Sequence, residues 1–322
     1  MAFAKSNHSL LDHLARVLNP AGSKAKMMLL LTSYADETGH SADPSLHFAG
    51  MAGFVGPLDA WKEFEPSWNG ILDDFGLKQP FHMKDFAHSE GQFVEWKGDK
   101  VRREKLYGKL IGAILETDAV PIGAIVSIED FKGLSLCQQK SFLDPYYIAF
   151  QNVTRGASLE ALDLEPPERV AMVYSYNQEF GAVQPGESYS VDQAGRAEQL
   201  WHAIKQHTDY GQWMGAYASS TPAEQVQLQA ADLFAYELSK EFENLICRPQ
   251  DKMRWGLRKI LSNLTDLRHL RIALLDRAAL LGIVKDSRFP CQTGVEENTD
   301  FNAVAGRLTM LERMVVRAKV GD

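Results

Sequence analysis

The chain has 322 residues, 45% of them hydrophobic and 24% charged, and a formal net charge of −8. That composition excludes the disordered and fibrous classes, and the negative balance excludes a surface coated with basic residues for non-specific nucleic-acid binding while leaving room for a local basic groove. Cys137, Cys247 and Cys291 lie far apart without CxxC spacing, which predicts neither a disulfide framework nor a zinc knuckle and fits a reducing cytoplasm.

The basic N-terminal stretch carries Leu10, Leu11, Leu14, Val17 and Leu18 at helical spacing, with no apolar signal-peptide core behind it. It reads as an amphipathic arm over residues 1–25 that packs on the body or on a partner, one route to a homodimer. No apolar run approaches the roughly 20 residues that a membrane span needs, so no membrane partner is expected. The run Met27-Met28-Leu29-Leu30-Leu31 then predicts a buried strand that ends in Tyr34-Ala35-Asp36-Glu37-Thr38-Gly39. Paired acids at the end of a core strand are costly to desolvate without a cation or donors. Two readings stand open for Asp36 and Glu37: solvated turn residues, or ligands for a divalent metal.

A second strand is predicted over residues 46–56. A helix follows over residues 58–75, with Trp61, Phe64, Trp68, Ile71, Leu72 and Phe75 as its apolar side. Phe81-His82-Met83-Lys84-Asp85 comes next; His82, Lys84 and Asp85 offer a proton shuttle, a phosphate contact and an acid, or are the polar side chains of an exposed edge. A strand over residues 119–131 and a helix over 144–156 follow, the helix with Pro145 at its first position and Gly156 past its end. Residues 170–176 read as a strand, 192–207 as a helix and 212–219 as a final strand. Just beyond the first of these strands, Asn177 and Glu179 lie two apart and share a face if the strand continues.

Thr221-Pro222-Ala223-Glu224 has the form of a capping box with proline at the first helical position. The helix it opens places Gln225, Gln229, Asp232 and Tyr236 in one polar stripe, with Leu228, Ala231, Ala235 and Leu238 beside it. Asp232 sits among Ala230, Ala231, Leu233 and Phe234, so its carboxylate needs a partner. The small alanines would let the backbone approach something closely. Residues 251–284 read as a basic helical tail, and residues 300–319 as a last amphipathic helix. Strands alternating with helices predict an α/β protein with a mixed sheet covered by helices. Neither a GxSxG elbow nor a GxxxxGK or GxGxxG phosphate loop is present.

Together these segments resemble a bacterial and phage family known as domain of unknown function 3800, whose members look like ribonuclease H-fold proteins. The resemblance rests on Tyr34-Ala35-Asp36-Glu37-Thr38-Gly39, on a His-containing strand at Phe81-His82-Met83-Lys84-Asp85, on the aromatic helix start Asp144-Pro145-Tyr146-Tyr147, and on Gln229-Ala230-Ala231-Asp232-Leu233. It covers residues 27–247. It implies a ribonuclease H-like mixed sheet of five strands or slightly more, flanked by helices. The corresponding domain spans residues 26–248, and a helical extension spans 249–322.

It also implies a metal-dependent nuclease acting on nucleic acid, with Mg²⁺ or Mn²⁺ held by Asp36 and Asp232. Glu37 and Glu179 would be further ligands or bases, and His82 and Lys84 would contact the scissile phosphate or leaving group. Related proteins often place an acid where Asn177 stands here. The alternative is a non-catalytic nucleic-acid-binding or assembly protein that keeps the fold. In either case Arg254, Arg258, Lys259, Arg268 and Arg271, or residues 97–109, are the candidates for backbone contacts.

Overall fold

The chain is seen in a computed structural model that describes residues 31–38, 46–78, 80–142, 144–175, 196–248, 251–264 and 271–286. Strand β1 (Leu31–Thr38) begins at the last residue of the first apolar run, whose other residues lie outside the described ones, and carries the two acids just before its end. It pairs antiparallel with β2 (Phe48–Pro57), and β2 pairs antiparallel with β3 (Val120–Ser127). On its other side β1 runs parallel to β4 (Val170–Ser175), which runs parallel to β5 (Met214–Ser220). A sixth strand, β6 (Arg271–Leu275), lies parallel to β3. The sheet order is β5-β4-β1-β2-β3-β6. This is an α/β architecture with a six-stranded mixed sheet flanked by helices, consistent with the expected ribonuclease H-like fold.

The helices are α1 (Leu58–Asp74), α2 (Met83–His88), α3 (Lys100–Glu116), α4 (Ile128–Lys132), α5 (Leu136–Phe142), α6 (Pro145–Leu162), α7 (Arg196–His207), α8 (Gln227–Cys247), α9 (Trp255–Ser262) and α10 (Arg277–Asp286). Two apolar cores result, one on each face of the sheet. On the first face α8 packs on β1 and β2, and α1 buries Trp61, Phe64, Trp68 and Leu72, the side that helical spacing predicts. On the second face α6 packs on β2 and β3 and buries Phe150 and Val153. Side chains alternate along β1, so Tyr34 joins the first core and Ala35 the second.

A Cβ at Gly123 would lie 2.8 Å from Leu238 Cδ2, so the bare backbone there lets α8 settle onto the sheet. Trp68, wholly buried, illustrates the energetic weight of this layer: truncating such a residue to Ala costs about 3–5 kcal/mol. Among the described residues no helix is long and apolar enough to cross a membrane.

Several expectations are corrected. Strand β3 stops at Ser127, whose Oγ accepts from the Asp130 N–H (3.2 Å) and opens α4. Helix α6 continues past Gly156 to Leu162, because that glycine lies inside the helix against Arg271 and lets it pack closely on β6. Helix α8 begins at Gln227, not at Pro222. The Glu224 carboxylate accepts from the Thr221 N–H (3.2 Å) and Ser220 Oγ (3.0 Å), so the capping pair closes a separate turn ahead of the helix.

The tail is not helical throughout, since β6 stands between α9 and α10. Cys137 on α5 is disulfide-bonded, which the cysteine spacing does not predict, while Cys247 is an exposed free thiol. The N-terminal arm, the helix expected over residues 300–319, Asn177, Glu179 and Arg268 lie outside the described residues.

Candidate functional site: a buried carboxylate pair

Strand β1 and helix α8 bring Asp36 and Asp232 to the same place. Asp36 falls on the face of β1 shared with Tyr34, the face that α8 covers. Its side chain is buried, with one oxygen accepting from the Glu37 N–H (2.8 Å) and a further hydrogen bond from the Ser175 hydroxyl. Ser175 reaches it because β4 runs parallel to β1 in the register that matches Ala35 with Tyr174.

Asp232 is less enclosed, its side chain 19% exposed. Its Oδ2 accepts from the Met83 N–H (2.7 Å), so it caps the start of α2 from across the core. One turn earlier on α8, Gln229 Oε1 accepts from the Phe81 N–H and from Trp68 Nε1–H, each at 3.0 Å. Gln229 and Asp232 thus fasten the two backbone groups that flank His82. The expected His-containing strand is instead the entry to α2, with His82 at the N-cap in an extended conformation.

Both carboxyls titrate above their ordinary range. Burial does most to Asp36, and the charge of Asp232 adds to it, raising its pKa to about 8 against the hydrogen bonds from Ser175 and Glu37. Burial also raises Asp232, to about 6; the Met83 N–H opposes this and Asp85 adds to it. Burial and the like charge of the pair thus favour a shared proton or a cation between the two carboxyls. Among the described residues no Lys or Arg forms an ion pair with either acid. The imidazole of His82 stands beside the pair, its Nδ1 3.9 Å from Asp232 Oδ2, too far for a hydrogen bond. His82 is 45% exposed, so the site opens on this side.

The other expected site residues are distributed differently. Glu37, next to Asp36 on an extended strand, faces the opposite side of the sheet. There, after burial itself, its charge is the next cause that pushes the Tyr146 phenol well above its ordinary pKa. Lys84 is exposed on α2. Arg254 is taken up by Glu237, with Nε and Nη2 donating to that carboxylate at 2.8 and 2.6 Å. Arg271 lies in β6, paired with Glu160 and Asp163 of α6 and its C-terminal turn. Arg258 and Lys259 lie on α9, half-buried and exposed respectively. In the stretch 97–109, Arg102 stacks on Trp96, Arg103 donates to carbonyls of α2, and Lys109 pairs with Asp74.

Ser175 and the Met83 N–H are the contributors that a sequence reading does not find. Both depend on a parallel register and a long-range cap, which leave no local signal. Among the described residues no group of three or more His, Cys, Asp or Glu side chains is arranged to hold a metal ion. These features define an α/β protein whose six-stranded mixed sheet is consistent with a ribonuclease H-like fold and whose strand β1 and helix α8 bring two acids together. No protein-family model matches the chain, and no curated protein matches it.

Proposed function

We propose that the protein is a divalent-metal-dependent phosphodiesterase acting on nucleic acid, of the kind implied by its resemblance to the domain of unknown function 3800 family. One observation carries this reading. Asp36 and Asp232 are enclosed together, and among the described residues no arginine or lysine pairs with either. Two like charges in one enclosed place are unfavourable unless a cation joins them or a proton is kept. Their donors are oxygens, the set that Mg²⁺ and Mn²⁺ favour, and the partly open Asp232 side leaves space for water and substrate. The donor set therefore fits a hard divalent ion, with Asp36 and Asp232 as its protein ligands.

Such an ion supplies Lewis acidity towards a phosphoryl oxygen and a lowered pKa for bound water. The chain's own groups do the rest. The Ser175 hydroxyl and Glu37 N–H fix the rotamer of Asp36, and the Met83 N–H fixes that of Asp232. His82, partly exposed beside Asp232, would give a proton to the leaving oxygen. Lys84, exposed on the same short helix, can meet the phosphate. Glu37 is assigned no ligand role, because it faces the other core.

Cleavage of single- and double-stranded oligonucleotides in Mg²⁺ or Mn²⁺ tests the reading. Asp36→Asn and Asp232→Asn should each lose at least about 100-fold in rate, since removing even an outer-shell partner of a metal site costs 10–100-fold. Both variants should keep the far-UV spectrum and melting temperature of a folded protein. Wild-type rates in both would sink the site. Oligonucleotide binding without any cleavage would select the non-catalytic reading instead.

A further inference from the structure

One turn beyond Asp232 on α8, a recess of about 400 Å³ opens between α2, α3, α8 and the start of α9. Its volume falls within the range of small-molecule sites, roughly 300–1,000 Å³. Met83, whose N–H caps onto Asp232, and Trp255 both line it. Trp255 is 42% exposed and is the sole aromatic among the exposed large apolar residues of the described chain. Its ring sits 5.6 Å from that of Tyr107, and Tyr236 lines the same recess from the polar stripe of α8.

Charge adds a second observation. Arg254, which also lines the recess, is neutralised by Glu237. Arg103 is not neutralised: its Nη1 donates to Ser89 Oγ (2.9 Å) and its Nη2 to the carbonyls of Phe86 and Ala87, all neutral partners. Among the described residues no carboxylate lies within ion-pair reach of it. The recess therefore combines exposed aromatic surface with an uncompensated guanidinium, beside a carboxylate pair. The ligand that matches the aromatic surface and the guanidinium is an anion carrying a planar ring.

We infer that this recess binds one nucleotide of a single strand, next to the phosphodiester held at Asp36 and Asp232. The base lies against Trp255 and Tyr236, and Arg103 meets its phosphate. The inference rests on the phosphodiesterase reading for the identity of the neighbouring site. A single strand is specified because a base can enter such a recess only when it is free of a pairing partner, and stacking on aromatic side chains tolerates any base. Tyr236 follows Asp232 by four residues on α8, so the two side chains leave the helix about 6 Å apart, close enough for one strand to span both.

The test is fluorescence anisotropy with a short end-labelled single-stranded oligonucleotide in EDTA, so that binding does not depend on a divalent ion. Trp255→Ala should weaken binding about tenfold or more, Trp255→Phe should keep most of the affinity, and Arg103→Gln should weaken it and flatten its salt dependence. Binding of a duplex of the same sequence should not respond to Trp255→Ala. Equal affinity of wild type and Trp255→Ala for the single strand overturns the recess. If Asp36→Asn and Asp232→Asn still abolish cleavage in that case, the catalytic reading stands without it. If Trp255→Ala weakens binding while both Asn variants cleave at wild-type rates, the recess is upheld and the catalytic site fails.

Discussion

Helix α8 buries carboxylates at two points little more than one turn apart and treats them in opposite ways. At Glu237, 1% exposed, a guanidinium arrives with two hydrogen bonds, and the backbone N–H of the same Arg254 bonds to the buried Glu241. At Asp232 the donor is the Met83 N–H, at Asp36 the donors are the Glu37 N–H and the Ser175 hydroxyl, and the two acids are close enough for the charge of Asp232 to raise the pKa of Asp36. The first arrangement is complete in itself and ties α9 to α8. The second leaves negative charge that the described chain does not balance. Burial of an acid is thus not the mark of a site in this molecule; burial without a cation is.

The comparison can be broken from its completed side. Arg254→Ala leaves Glu237 buried without its cation, a change that costs about 3–5 kcal/mol in such pairs. Because the Arg254 side chain is 31% exposed, the lower end applies, and urea unfolding should show a loss of about 3 kcal/mol. A loss near zero would mean that water compensates Glu237 and that the two regions do not differ as described.

The incomplete side predicts a smaller effect of opposite sign. Asp36 and Asp232 have folded pKa values of about 8 and about 6, above the unfolded value near 3.9. The folded protein therefore binds more protons than the unfolded chain between these limits. The stability these groups contribute is full below about pH 4 and is lost as pH rises through 6 and 8. In chelator at pH 8, Asp36→Asn should accordingly be more stable than wild type, by on the order of 1–3 kcal/mol, and the gain should shrink towards pH 5. Destabilisation at pH 8 would show that the Asp36 carboxylate is needed by its Ser175 and Glu37 donors more than it is opposed by Asp232.

What was legible in the sequence follows from how local each signal is. The strand that carries Asp36 and the stripe on α1 are local signals, and the described residues 31–38 and 58–74 take the forms expected of them. Asp232 among alanines was legible as an acid in need of a partner, and its meeting with Asp36 follows once the sheet order is known. Strand β6 was not legible: Arg271-Ile272-Ala273-Leu274-Leu275 is short, begins on a charged residue and suits a helix equally well.

Its strand form is set by pairing with β3 and by the ion pairs of Arg271 to α6. The entry to α2 was misread for a similar reason, because its cap is an aspartate far away in sequence. The opposite facing of Asp36 and Glu37 was available from strand alternation alone, yet the expected ligand set placed both in one site. The basic tail misled in another way, since Arg254 and Arg271 were read as free surface charge and are committed to Glu237 and Glu160.

The proposed function requires Asp36 and Asp232 to form one cation site from two distant parts of the chain. Mn²⁺ titration calorimetry on wild type, Asp36→Asn and Asp232→Asn tests it most directly. A shared site gives saturable binding by the wild type and its loss in each variant while both remain folded. Binding that survives in both variants, or no binding by the wild type, would contradict it.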